Sequence, residues 1–534
     1  MHPNPWLLTR RHLLATAGAA PLLLSASAAR AQGITPRRGG VLNIILNPEP
    51  PLLQIGVNNQ TPTLICGTKM TQGLLKFSPT LEPLPELAKS WTISPDGLGY
   101  VFSLQDNVKW HDGQPFTADD VIFSVMTFNK EIAPRLRGVL AGIAECTAPD
   151  PHTVRFVLKQ AFQPFLLCFD ATAIPMVAKH VYDGTDFRTN PANSHPIGTG
   201  PFRFVEWQRG NFVRMERFPD YWKPGEPYLD GILWRVIPDG QSRRLAVETG
   251  QVQMSTATDI EPFDVPALRS APNLDVTTKG WEYFSPLFWF EPNHRVPLFA
   301  DKRVRRAMSM ALDRNFIVQR LWFGLGKAAT GPVSSTTRFY DPNAKLPTLD
   351  LAAATNLLDE AGLKPNAQGI RGSFKHLIPP YGEIWNRMGE YFRQAMAKIG
   401  FEVTLESTDA GTWASRVANW DYETTSNVLY QYGDPTLGVE RSYVTSNIQK
   451  ILFTNTSGYS NPKVDELFAA ARLGATVEAR QKAFNEVQEL LVEDMPLLWV
   501  VEVAYPTITD KHLHNVIQLG TGDHACFDDV FLSA

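Results

Sequence analysis

Residues 89–121, KSWTISPDGLGYVFSLQDNVKWHDGQPFTADDV, constrain the fold more tightly than any other stretch of this chain. Ser94-Pro95-Asp96-Gly97 is a turn, because proline presets φ and Asp-Gly suits a tight reversal. Alternation follows: Tyr100, Phe102 and Leu104 fall on one face of a strand, with smaller or polar residues between them. His111-Asp112-Gly113 makes a second turn. Thr117 then opens a helix, where its hydroxyl can cap the amide of Asp120, and Asp119 and Asp120 sit at the positive end of the helix dipole. Strands joined by turns and closed by a capped helix account for the whole stretch. His111 and Asp112 also invite a reading as a metal or catalytic pair. A metal site needs three or four ligands, and no His or Cys stands nearby, so turn residues bonded to local backbone are the better account.

The same stretch resembles the signature of the family 5 extracellular solute-binding proteins, the peptide- and nickel-binding components of ABC importers. The matching positions are Ser90, Trp91, Ser94, Asp96, Gly97, Tyr100, Phe102 and Leu104, then Val108, Trp110, His111, Asp112, Gly113, Pro115, Thr117, Ala118, Asp120, Val121, Phe123 and Ser124. Further landmarks of that family recur downstream. They are Gly198-Thr199-Gly200-Pro201-Phe202 with Asp220-Tyr221-Trp222, and RVRRAMSMALDRNFIV from Arg303 to Val318. The resemblance runs from Gly39 to about Tyr505. It implies an α/β, two-lobed periplasmic binding protein of type II with mixed sheets, a hinge and an extra subdomain in the first lobe.

Length and composition agree with that size of molecule. A chain of 534 residues is too long for one simple core, and 44% hydrophobic with 19% charged residues excludes a disordered chain. A net charge of −4 gives no reason to expect nucleic acid. The 41 prolines and 11% aromatics suit many loops and an aromatic-lined cleft, and equally an ordinary large core. Cys66, Cys146, Cys168 and Cys526 form no CxxC, which argues against zinc ribbons and thioredoxin-like sites. One or two disulfides stay open, with no pairing deducible.

Residues 1–31 read as a twin-arginine signal peptide, with Arg10 and Arg11 as the pair and Ala29-Arg30-Ala31 as the small-x-small cleavage site. The run from Leu13 to Ala29 is short and broken by Pro21, Ser25 and Ser27, so it is not expected to span a membrane. No cysteine precedes Cys66, so a lipid anchor is not expected either, and the product is expected free in the periplasm as a monomer. Val41 to Leu46 is a buried strand followed by the proline-rich Asn47-Pro48-Glu49-Pro50-Pro51. Residues 32–280 are expected to form the first lobe, with an inserted subdomain at about 78–195. Residues 281–500 form the second lobe, and 501–534 return to the first. The aromatic run 281–291, WEYFSPLFWFE, is first a core strand and second a cleft lining. Asp301 caps a helix expected from Lys302 to Phe323, with Gly324 as its stop. Helix, glycine and strand then succeed one another at Glu383–Ile399, Gly400 and Phe401–Leu405, which is α/β grammar.

No GxSxG, HExxH, GxxxxGK[ST] or GxGxxG occurs, so no enzyme and no cofactor is expected. His512 and His514 could share a strand face but read better as surface histidines. The solute site is inferred from the resemblance. In peptide-binding members an Asp of the second lobe, three residues before an acidic-Pro dipeptide, pairs with the peptide's α-amino group. Asp434-Pro435 is that dipeptide here, which places Gln431 at the position. A neutral Gln cannot offset a buried ammonium, so free tripeptides are expected to stabilise the protein little. Glu49, Tyr430, Tyr432, Asp434 and Trp499 are further ligand candidates, with Trp281 and Tyr283 near the crossing between lobes. The expected function is capture of a peptide-like organic solute for an ABC permease. The alternatives are another solute (an opine, a sugar conjugate or a metal chelate such as nickel) and, in a different class, a twin-arginine-exported enzyme.

Overall fold

The computed structural model describes residues 35–533, so Arg10, Arg11, Ala29 and Ala31 lie outside the described residues. Val41–Leu46 forms the expected strand and lies inside a seven-stranded sheet. It pairs in parallel with Gly231–Val236 on one side and with Met254–Ser255 on the other. Phe212–Arg217 and Phe202–Gln208 extend the sheet beyond Gly231–Val236, antiparallel. Thr507–Asp510 and Leu274–Thr277 close its opposite edge. Leu42, Ile44, Ile45 and Leu46 are all buried, as expected of an interior strand covered on both faces.

The segment that links Val41–Leu46 to Gly231–Val236 carries a separate four-stranded sheet, ordered Ala88–Ile93, Gly99–Leu104, Thr153–Leu158, Ile143–Asp150. Tyr100, Phe102 and Leu104 point inward, and Phe102 meets Phe169 with ring centroids 4.9 Å apart. Gly97 turns the hairpin at φ +71°, with its amide donating to the Ser94 carbonyl. Thr117 stands at the N-cap, and its own N–H donates to Asp120 Oδ2 at 2.9 Å. The second turn departs from the expectation. His111 bonds backbone far along the chain: Gly198 N–H donates to His111 Nδ1 at 3.2 Å, and His111 Nε2 meets the Gly200 carbonyl at 3.0 Å. A nitrogen that accepts is unprotonated, so the ring is the neutral tautomer with its proton on Nε2. Burial holds its pKa down to about 4, against the opposing Gly200 carbonyl.

The chain leaves the first sheet after Thr277 and enters a six-stranded sheet at Leu287–Pro292. The order there is Gly326–Ala328, Leu498–Val503, Leu287–Pro292, Thr424–Leu429, Gly372–Ile378, Phe401–Ser407. Gly372–Ile378, the helix Glu383–Ala397 and the parallel strand Phe401–Ser407 form a βαβ unit, with Gly400 at φ +90° between helix and strand. Every residue of Leu287–Pro292 is buried, and Phe290 stacks on Phe392 at 4.2 Å, so this part of the aromatic run is core. The helix expected over Lys302–Phe323 stops at Met310. The Asp313 amide donates to the Tyr391 hydroxyl, and the Asp313 carboxylate caps a new turn at Phe316, so the i to i−4 ladder cannot run through. Among the described residues no helix is long and apolar enough to cross a membrane.

Candidate functional site

Four strands end at one place. Val41–Leu46 and Met254–Ser255 of the first sheet, and Gly372–Ile378 and Thr424–Leu429 of the second, all direct their carboxyl ends at a single cavity. This is where open α/β sheets hold ligands, because the loops beyond the strand ends are free to vary. The cavity offers about 150 Å³ to the centres of water molecules, room for on the order of ten waters. Aromatic rings dominate its walls. Trp234 stands on the first sheet's side, while Tyr381, Trp385, Trp413, Tyr430 and Tyr432 come from the second, with Tyr505 on the returning segment.

Two carboxyl groups and one guanidinium line the cavity: Glu49, Asp259 and Arg441. The Glu49 carboxylate is fixed by Trp207 Nε1–H at 2.7 Å and by the Gly210 amide at 3.0 Å. Asp259 is only 2% exposed. Its Oδ2 accepts from the Thr256 amide at 2.7 Å and from the Thr256 hydroxyl at 3.1 Å. Burial pushes its pKa up to about 7, against those donors and the nearby Arg243. Arg441 donates through Nε to the Gly438 carbonyl at 3.1 Å and through Nη2 to the Tyr430 carbonyl at 3.3 Å. Burial lowers its pKa to about 10, which leaves it charged at neutral pH.

The two walls touch. Thr61, in the helix Thr61–Gly67, meets the Tyr430 hydroxyl at 2.6 Å through Oγ1. Glu261 Oε1 accepts from the Glu383 amide at 3.1 Å, at the start of the helix Glu383–Ala397. Each bond joins a residue of the first sheet's connections to one of the second's, so the two walls are held together beside the cavity.

The residues singled out from the sequence divide sharply. Glu49, Tyr430 and Tyr432 line the cavity. Gln431, between the two tyrosines, does not. It is 3% exposed, and its Oε1 accepts from the Ser334 amide at 3.0 Å and the Thr337 hydroxyl at 2.7 Å, while Nε2 donates to the Pro332 carbonyl. Asp434 is fully buried in a two-pronged ion pair with Arg480 at 2.8 and 2.9 Å, and its Oδ1 also caps the turn at Thr436. Trp499 donates from Nε1 to the Tyr443 hydroxyl at 2.8 Å inside the second core. Trp281 packs on Tyr430 and Tyr505, with ring centroids 6.0 and 5.1 Å apart. Tyr283 packs on Tyr432 and donates to the Leu167 carbonyl at 2.7 Å. These two therefore support lining rings without lining the cavity themselves.

Other sequence candidates resolve as packing. Asp112 pairs with His180 Nε2 at 2.6 Å and accepts from the Gln114 amide. His512 Nδ1 meets Asp510 at 2.7 Å, whereas His514 packs on Phe531, so the two are not brought together as ligands. All four cysteines are unpaired thiols, so neither disulfide left open by the sequence is present.

Asp259, Arg441, Thr61 and the rings of Tyr381, Trp385 and Trp413 were not legible as site residues. One signal was available for Asp259: it follows a short strand after Gly250 by a few residues, where strand ends of an α/β sheet face ligands. Nothing in a single sequence marks Arg441.

Comparison with known proteins places these features. Residues 82–450 match the family model described as bacterial extracellular solute-binding proteins, family 5 Middle. The chain is 28% identical over 459 residues to the glutathione-binding protein GsiB of Pectobacterium atrosepticum, covering 83% of this chain and 84% of that one. Its fold superposes on DppA of Helicobacter pylori, solved with the peptide STSA, with a TM-score of 0.83, 23% identity and coverage of 93% and 99%. It also superposes on NikZ of Campylobacter jejuni, solved with Ni(L-His), with a TM-score of 0.80, 23% identity and coverage of 91% and 97%.

Proposed function

Because the chain belongs to the bacterial extracellular solute-binding proteins, family 5, we propose that it is the substrate-binding component of an ABC importer, working in the periplasm. It captures a peptide or related organic solute between two lobes and presents it to a membrane permease. Export uses the twin-arginine pair Arg10-Arg11, with cleavage after Ala31. Residues 32–280 with 504–534 form one lobe and 281–503 the other, because the strand Leu498–Val503 pairs inside the second sheet, and the two crossings between the sheets act as the hinge. The observation that carries this reading is the cavity itself. Strand ends of both sheets wall it, aromatic rings fill its sides, and Thr61 and Tyr430 bond across it. A solute that touches both walls favours the closed form over the open one by its differential contacts, and the permease then reads closure.

Native mass spectrometry of the gently purified protein tests this. The expected result is a retained organic solute of up to several hundred daltons, released on denaturation, and a melting temperature that falls once it is removed. An apo mass throughout, with no thermal stabilisation by di- and tripeptides, glutathione, opines or nickel–histidine, would overturn it. Turnover of a chromogenic ester or glycoside would point to an enzyme instead.

A further inference from the structure

The cleft is charged asymmetrically. Its acids, Glu49 and Asp259, both lie in connections of the first sheet, and its one lining guanidinium, Arg441, follows a strand of the second. The position at which the family resemblance seats an ammonium-binding acid, 431, is a buried Gln bonded to its own lobe. We propose that this chain binds a zwitterionic solute in a fixed polarity, with the ammonium group on Asp259 of the first lobe and the carboxylate on Arg441 of the second. The inference rests on the peptide-solute reading above and adds which end of the solute each lobe holds.

Three observations support it. Asp259 is almost wholly buried, yet only its Oδ2 accepts from a described residue; Oδ1 is left without a protein donor at the edge of the cavity. A carboxylate oxygen that no protein donor satisfies is free to accept from a ligand's ammonium, and burial of the rest of the group strengthens that contact. Secondly, Tyr505 and Tyr381 share the cavity with it, and aromatic faces attract an ammonium once water is excluded. Thirdly, the opposite wall presents Arg441 to the cavity. Arg441 has one terminal nitrogen, Nη1, without a protein acceptor among the described residues. Positive charge on one wall and negative on the other would be costly to close over nothing. A zwitterion satisfies both and ties ligand occupancy to closure.

The test compares alanyl-phenylalanine, trialanine and glutathione with their N-acetyl and C-amide derivatives, by calorimetry on the full mature chain. At least one free solute is expected to bind, and either blocking group is expected to weaken it at least tenfold. In Asp259→Asn the preference for the free over the acetylated form should collapse to near parity, while the preference over the amide persists. The wild-type comparison needs no variant, so a poorly folded Asp259→Asn leaves the proposal testable. Acetylated forms that bind as tightly as free ones would overturn this inference alone, as would an Asp259→Asn that weakens both forms equally. If no member of the panel binds, free or blocked, the peptide-solute reading itself falls.

Discussion

Residues 89–121 and residues 424–441 are both dense in landmarks, but the protein uses them in opposite ways. In the first stretch the polar side chains that are withdrawn from water bond the protein itself. Asp120 alone accepts from the Thr117 amide, the Lys179 amide and Trp110 Nε1. His111 grips Gly198 and Gly200. In the second stretch cavity-lining and core residues alternate. Tyr430 and Tyr432 face the cavity, while Gln431 between them is bonded into the loop at Pro332–Thr337 and Asp434 is locked to Arg480. A strand and its extension put neighbours on opposite faces, so one residue can line the cavity while the next holds the wall. The lesson is that the motif which identifies the family belongs here to the scaffold, and the cavity is walled by residues set between structural ones elsewhere.

If the first stretch is scaffold, the largest effect should come from the glycines that receive it. A Cβ at Gly198 would run into the Met70 carbonyl, and one at Gly200 would come within 2.7 Å of the Lys69 carbonyl. Gly198→Ala is therefore expected to cost about 4 kcal/mol or more, because backbone cannot give way as a side chain would. Soluble yield and the thermal melt read this, and a near-native melt would break the contrast.

A smaller loss is expected from Asp434→Asn, which leaves Arg480 buried without its countercharge. The cost should be about 3–5 kcal/mol in urea unfolding, with solute affinity of the folded fraction unchanged. Selective loss of solute binding at unchanged stability would move Asp434 back into the site.

The smallest effect is in pH dependence. His111 has a folded pKa depressed from 6.5 to about 4, so between those values the unfolded chain binds more protons than the folded one. Its share of stability is present above pH 6.5 and is lost as pH falls through that window. His111→Gln should flatten, without abolishing, the fall in unfolding midpoint between pH 7 and pH 4, because buried His294 and His376 are depressed in the same direction. An unchanged slope would show that the docking of His111 on Gly198 does not couple to folding.

Much of the fold could be read in advance because its determinants are local. Apolar alternation placed Gly99–Leu104, glycine closed Glu383–Ala397 before Phe401–Ser407, and Asp301 capped the helix that starts at Lys302. The helix over Lys302–Phe323 misled because its apolar spacing continues past Asp313, while Tyr391, far along the chain, captures the amide that would have carried the ladder on. At the site the reading of Glu49, Tyr430 and Tyr432 as cavity-facing was available from their position after strand ends. Gln431 and Asp434 share that position, and only their partners at Thr337 and Arg480 turn them away.

The sequence by itself determined the elements, the family and the outline of two lobes, because hydrophobic period, capping and turn chemistry act within a few residues. Only the tertiary structure decided that His111 docks on a glycine turn almost ninety positions away, and that Glu49, Asp259 and Arg441 line a single cavity. Charge acts through space: its effect depends on which strand ends converge and which water is excluded, and no stretch of the chain records that alone.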